Sequence, residues 1–183
     1  SSAASDVYKR QPMYSELAAN GQVELTTTPY YHPIMPLLMM EGWTMEDGIR
    51  VNKEAWPEDV QNHLITGMDL FEQELGFRPT GMWPSEEAVS PAMVQPVTDV
   101  GIEWMVTDEE ILKQSTDQNG NYIDVEDATN LATPWKVSGA DGGEVAVIFR
   151  DRVISDRIAF QYGTMTPEAA VSVSYTHLTL PTT

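Results

Sequence analysis

Residues Pro57 to Leu75 carry the clearest hydrophobic pattern of the chain, with Val60, Leu64, Met68, Phe71 and Leu75 on one face and acidic or amide residues between them. That period predicts one amphipathic helix, opened by Pro57 in its first turn and ended by Gly76. Elsewhere the apolar runs are short. Val23–Thr28, Phe77–Trp83, Ile102–Val106 and Val145–Phe149 predict strands, the last apolar throughout, as in a strand buried on both faces. Ser90 as N-cap followed by Pro91 opens a helix that runs to Gly101 and is kinked or shortened by Pro96. Asp108–Gln114 and Val153–Tyr162 predict two more helices. Ser115–Gly143 is polar, with a turn at Asn119-Gly120 and a loop from Gly139 to Gly143, and reads as an excursion from the core. Strands alternating with helices predict an α/β fold with parallel strands and helices outside them, in which the loops after the strands carry the chemistry.

The two ends have a different origin. Asp6-Val7-Tyr8-Lys9-Arg10-Gln11 is what GAT GTG TAT AAG AGA CAG encodes, the transposase mosaic end used in sequencing libraries. Val173-Ser174-Tyr175-Thr176-His177-Leu178 is encoded by its reverse complement. The inverted match at both ends marks residues 1–11 and 172–183 as translated adapter and 12–171 as native sequence. Such ends should pack against nothing specific.

The native stretch of about 160 residues suits one domain or a large part of one. An apolar content of 42% is enough to build a core. No apolar run reaches membrane-crossing length, the nearest being Ile34–Met40. The absence of cysteine excludes disulfides and thiolate metal sites. With 28 acidic against 10 basic residues the formal charge is −18, which argues against nucleic-acid binding. It leaves either an ordinary solvated acidic surface or one adapted to high salt.

Candidate chemistry centres on Gly81-Met82-Trp83-Pro84-Ser85-Glu86, which sets an aromatic ring three residues before a carboxylate on the loop after a predicted strand. A sugar-cleaving site needs a flat apolar face and a carboxylate at the anomeric carbon. The residues alone do not choose between Glu86 and Glu87. Trp83 is a stacking platform or a core anchor. Upstream lie Gly21-Gln22-Val23-Glu24-Leu25 and Thr28-Pro29-Tyr30-Tyr31-His32-Pro33-Ile34-Met35-Pro36-Leu37-Leu38. Downstream lie Trp104-Met105-Val106-Thr107-Asp108-Glu109-Glu110 and Phe149-Arg150-Asp151-Arg152-Val153-Ile154-Ser155-Asp156. Asp108 faces the site or caps the next helix, two roles that ask for the same residue at the same place. Glu24 binds sugar hydroxyls or supports a strand. Arg150, Asp151 and Asp156 read as an ion-paired cluster at a strand end.

In this order the blocks resemble the catalytic domain of glycoside hydrolase family 57, in its amylopullulanase and α-amylase-like branch, from about Gly21 to Tyr162. The resemblance implies a fragment of an incomplete (β/α)7 TIM-like barrel with parallel strands. It also implies a retaining glycosidase acting on α-glucans, with no metal or other cofactor. It assigns Glu86 as nucleophile and Glu87 to a position where the family usually has glycine. It supports a hydroxyl-binding role for His32, as against an ordinary structural histidine, and sets Glu24 in a G-Q-x-E block. Trp83, by its loop, and Asp108, by its place after a strand, complete the substrate-binding candidates. The family's acid/base aspartate stands in a later block resembling D-G-E-N, past Leu178 by the family's spacing, so the fragment is expected to be inactive as it stands. Two other readings remain: a glucan-binding domain that has lost catalysis, and a metal-dependent polysaccharide deacetylase. The deacetylase needs clustered His and Asp ligands. The native stretch holds only His32 and His63, the latter on the helix outside the sheet.

Overall fold

The protein is described by a computed structural model covering residues 3–140 and 142–179. In chain order the elements are helix α1 (Ala3–Ala19), strand β1 (Thr26–Thr27), α2 (Met35–Met39), β2 (Gly42–Thr44), β3 (Arg50–Asn52), α3 (Pro57–Leu75), β4 (Gly81–Met82) and α4 (Val94–Asp99). Then follow β5 (Trp104–Asp108), α5 (Glu109–Lys113), α6 (Ala128–Ala132), β6 (Trp135–Ser138), β7 (Glu144–Arg150), α7 (Arg152–Phe160) and α8 (Pro167–Thr179). Two compact units result, Ser1–Val106 with Lys136–Val147, and Thr107–Trp135 with Ile148–Thr183.

The first unit carries the central sheet, in the order β1-β4-β5-β7-β6. β1 pairs parallel with β4, and β4 parallel with β5. The fold is therefore α/β with a mainly parallel sheet, and among the described residues that sheet is open, with β1 and β6 at its edges. The predicted helix forms over Pro57–Leu75 for the reasons the sequence supplies. Pro57 stands in its first turn, Val60, Leu64 and Met68 are buried, and Gly76 leaves the helix at φ 86° with its N–H on Glu72 O. Each such buried side chain contributes about 1.5–3 kcal/mol. Arg78 ties the helix end to the approach of β4 through Glu72, at 2.8 Å, and Asp69.

Three expectations differ from the structure, and one element was not expected. The polar stretch 115–143 is not wholly an excursion, because Trp135–Ser138 becomes edge strand β6. β6 and β7 are neighbours joined only by residues 139–143, and so short a connection fits an antiparallel pair. β7 is not buried on both faces: Val145, Val147 and Phe149 are buried, while Glu144 and Ile148 are exposed, the alternation of a strand with one covered face. Ser90 has the extended backbone of a cap, but its side chain makes no capping bond, because the first turn, Pro91–Met93, is 3₁₀ and is closed by Met93 N–H to Ser90 O at 3.0 Å. The β2–β3 hairpin was not anticipated. Its signal was Asp47-Gly48, where Asp47 Oδ1 accepts the Ile49 N–H at 3.0 Å.

The end segments form helices. Residues 1–2 and 180–183 lie outside the described residues, so the expectation about unattached ends applies to the remainder. There Gln11 Nε2 lies 3.4 Å from Glu74 Oε2, and Tyr162 Oη and Ser174 Oγ are 3.1 Å apart.

Gly81 is fixed by a close approach. A Cβ there would overlap the indole of Trp104, its partner residue on β5. Trp104 Nε1 in turn donates to Glu24 Oε1 at 2.7 Å. Gly81→Ala should therefore displace the indole and cost about 1–3 kcal/mol. Urea denaturation followed by tryptophan fluorescence checks this; an unchanged midpoint would refute the packing.

Candidate functional site

In the first unit the loop after β1 and the loop after β4 are brought together because their strands are parallel neighbours. The ladder continues one bond past β4, from Trp83 N–H to Thr27 O at 2.8 Å. Beyond it Pro84 and Ser85 turn inward and are buried, which leaves Trp83 and Glu86 exposed on either side of them. Trp83 is 41% exposed, too open for a core anchor. Successive tight bonds close the loop, Glu87 N–H to Pro84 O and Ala88 N–H to Ser85 O, at 2.9 and 3.1 Å.

Opposite, Pro29 is buried and the chain turns over it, with His32 N–H on Pro29 O at 2.9 Å. This turn is held on α3. Tyr30 N–H donates to His63 O at 3.0 Å, and a Cβ on Gly67 would lie 2.8 Å from Thr28 O, so only glycine lets the helix come this close. The rings of Tyr31 and His63 meet edge to face at 6.2 Å. His63 thus supports the loop that carries His32, a part the sequence reading missed because it set His63 apart on its helix.

The outcome is that His32 Nε2 stands 3.6 Å from Glu86 Oε1, and His32 Nδ1 stands 3.0 Å from Thr28 Oγ1. Both side chains remain accessible, His32 at 48% and Glu86 at 71%. Four non-glycine residues among those described have positive φ: Tyr31 (60°), His32 (53°), Glu86 (55°) and Glu87 (56°). They form two consecutive pairs, one on each of the facing loops. A left-handed backbone costs a side-chain-bearing residue about 1–2 kcal/mol, and such strain collects where function fixes the geometry.

Glu24 and Asp108 are engaged differently. Glu24 precedes β1, and its Oε1 accepts from Trp104 Nε1 and from Thr80 Oγ1 at 2.7 and 2.9 Å. Thr80 precedes β4 and Trp104 begins β5, so Glu24 works at the amino-terminal side of the strands, away from His32 and Glu86. That geometry favours its strand-supporting role.

Asp108, in the second unit, is 6% exposed. It caps α5 by accepting the Glu110 N–H at 3.0 Å, and it also receives Arg150 Nε at 3.0 Å and Arg152 Nη2 at 2.6 Å. Arg150 bonds Asp156 as well, at 3.2 Å, and Asp151 caps α7 through the Ile154 N–H. Burial pushes the Asp108 carboxyl up. The hydrogen bonds from Arg152, the Glu110 amide and Arg150 together outweigh this and hold it below its ordinary value. The capping and ion-pairing role accounts for these contacts.

A groove of about 720 Å³ runs beside β1. His32, Tyr31 and Glu24 line it, but Trp83 and Glu86 do not. The face shared by His32 and Glu86 is therefore an open surface at the carboxyl ends of β1 and β4. No group of three His, Asp or Glu able to hold a metal ion gathers among the described residues, and no helix among them is long and apolar enough to cross a membrane.

A mainly parallel α/β sheet whose adjacent strands end in loops carrying an exposed carboxylate, a histidine and a half-open tryptophan defines an α/β protein with its polar groups at the carboxyl ends of the strands. The family follows from comparison: the chain belongs to glycosyl hydrolase family 57, whose sequence profile matches residues 10–180. Among solved structures it is similar to the α-amylase AmyC from Thermotoga maritima (TM-score 0.58, 16% identity, 81% of this chain and 24% of that one). It is also similar to a family 57 branching enzyme from Thermococcus kodakaraensis (0.57, 16%, 83% and 27%). A protein from Mycobacterium smegmatis described as a polysaccharide deacetylase shares the fold too (0.56, 13%, 93% and 49%). The chain thus spans about a quarter of the amylase and of the branching enzyme. No curated protein sequence matches it.

Two outcomes test this description. Glu87→Val should lower stability by about 1–2 kcal/mol, whereas Glu87→Gly should leave it unchanged or slightly higher, because a β-branched side chain resists φ near +56° more than glutamate does and glycine does not resist it. Equal losses in urea denaturation would remove the strain argument. Asp108→Asn should cost about 2 kcal/mol at neutral pH, since it leaves two arginines short of a charged partner. Because the folded-state pKa lies below the ordinary 3.8, this stabilisation is complete above about pH 4 and disappears as the pH falls through the folded value. The Asp108→Asn protein should lose that part of its pH dependence. Superimposable stability–pH curves for the two proteins would show that Asp108 contributes nothing.

Proposed function

We propose that this chain carries the nucleophile of a retaining glycosidase that acts on α-glucans of the starch, glycogen or pullulan kind, in the manner of the amylopullulanase and α-amylase-like branch. The observation that carries the reading is Glu86, exposed in the Trp83-Pro84-Ser85-Glu86 loop with His32 Nε2 at 3.6 Å, both at the carboxyl ends of paired parallel strands. Family membership and the similarity to an α-amylase and a branching enzyme support the substrate class. The α/β fold alone does not choose, since it is shared with a protein described as a deacetylase.

In this reading a Glu86 oxygen attacks the anomeric carbon as the bond to the leaving oxygen breaks, and a glycosyl ester forms on Glu86. A second carboxyl group, about 5 Å from the first in retaining enzymes, protonates the leaving oxygen and later deprotonates the water that breaks the ester. That partner is the aspartate of the family's D-G-E-N-like block, a string this sequence does not contain. On this reading, hydrolysis is to be measured in a chain that includes that block. Trp83 offers a ring face to a sugar, and His32 donates to Glu86 or to a sugar hydroxyl.

In the complete catalytic domain, Glu86→Gln should reduce starch hydrolysis by several powers of ten while leaving folding and glucan binding in place. Azide should restore slow turnover with inverted product. Glu87→Gln should stay within about tenfold of the parent. Full activity of the Glu86 variant, or collapse only in the Glu87 variant, would overturn the assignment. Glucan binding without turnover in the parent domain would point to the binding-module alternative, and turnover abolished by chelators to the deacetylase.

A further inference from the structure

Thr28 and His32 lie four residues apart on the turn after β1, and nothing in the family assignment gives the threonine a task. Its Oγ1 is 3.0 Å from His32 Nδ1, on the side of the ring away from Glu86. We propose that Thr28 is a positioning residue: its hydroxyl donates to Nδ1, holds His32 as the neutral Nε2–H form, and aims that N–H at Glu86. This rests on the reading of Glu86 as nucleophile.

A neutral imidazole has one donor nitrogen and one acceptor nitrogen, and which is which is set by the partner of the other. The carboxylate at 3.6 Å can only accept, so the nitrogen facing it serves best when it carries the proton. Nδ1 then has to accept, and a threonine hydroxyl is able to donate. A carboxylate in the place of Thr28 would instead favour the imidazolium, whose full charge beside Glu86 would stabilise the free carboxylate and blunt its attack. A hydroxyl orients the ring without adding charge.

Geometry supports the same role. Thr28 is the residue whose carbonyl oxygen abuts Gly67, so its backbone is fixed by α3, and His32 is fixed in turn by its bond to Pro29 O. The hydroxyl therefore has a rigid base from which to hold the ring. The Nε2–Oε1 separation exceeds a hydrogen bond, and a small rotation of the exposed Glu86 side chain closes it.

The test uses the 183-residue chain labelled with ¹⁵N-histidine. It has three histidines, and the His32 signals are identified by their loss in His32→Asn. Two-bond ¹H–¹⁵N correlation spectra, at a pH where His32 is neutral, should show Nδ1 bare and hydrogen-bonded, with Nε2 protonated. Thr28→Val should move Nδ1 to the averaged position of a free histidine and abolish the through-space contact between the ring and Glu86. Thr28→Ser should restore both. A proton on Nδ1 in the parent chain, or a Thr28→Val spectrum identical to the parent at His32, would overturn the proposal.

In the complete catalytic domain, Thr28→Val should lower kcat about tenfold with KM little changed, the lower range for an outer hydrogen-bond partner, and Ser should recover it. An unchanged kcat would overturn the positioning role. Retention of full activity by Glu86→Gln would instead remove the nucleophile reading, and the ring-state result would then stand without it. The spectra and the activity therefore separate the two failures.

Discussion

The close approach of α3 to the segment Thr28–Tyr30 is the contact on which the site depends. A helix side of ordinary residues would hold that segment off by the width of a Cβ. Gly67, whose Cβ would fall 2.8 Å from Thr28 O, lets the backbone come in and lets His63 O receive the Tyr30 N–H. Pro29 is buried in the process, and the chain has to reverse over it. His32 is therefore delivered to the end of β1 by backbone contacts and not by its own side chain. Its imidazole is left free to make two polar contacts, one to Thr28 and one toward Glu86.

The facing loop reaches the same result by burial. Pro84 and Ser85 fill inward positions, which forces Glu86 and Glu87 into left-handed backbone and leaves the Glu86 carboxyl exposed. Glycine would remove that strain at Glu87, and the family resemblance puts glycine at this position. The sequence thus holds a strained residue where the resemblance expects none. In energetic terms the two loops hold about 1–2 kcal/mol of strain at each of four residues. That cost persists only because the β1–β4 ladder, the Pro29 turn and the α3 contact over-determine the backbone.

Much of the fold was legible because its cause is local. The period of Val60, Leu64 and Met68, with Pro57 and Gly76 as punctuation, depends on nothing outside the helix, and α3 forms over the predicted residues. Strand ends were less legible. β1 and β4 are two residues long, because pairing and not propensity sets where a strand stops, and β6 was hidden in a polar stretch since an edge strand needs no apolar run. β7 was read as doubly buried because Ile148 is apolar, yet burial is decided by what lies against a face. In the candidate site, Glu86, Trp83 and His32 already stood out in the sequence blocks. Thr28, Gly67 and His63 were not, since each acts through a contact between segments that no spacing in the sequence records.

Asp108 and Glu86 illustrate how environment divides the roles of similar groups. Both are carboxylates at or shortly past the end of a strand, in blocks that resemble the same family, and by sequence either suits a sugar. Asp108 is buried, capped by a backbone amide and gripped by two guanidinium groups, so every strong acceptor direction it has is used, and its charge is spent on holding α5 and the end of β7. Such a carboxylate is held charged but cannot attack without breaking its own support. Glu86 has one facing nitrogen at 3.6 Å and is otherwise open to solvent. A nucleophile must keep a lone pair unclaimed until substrate arrives, and of the two it is Glu86 that meets this condition.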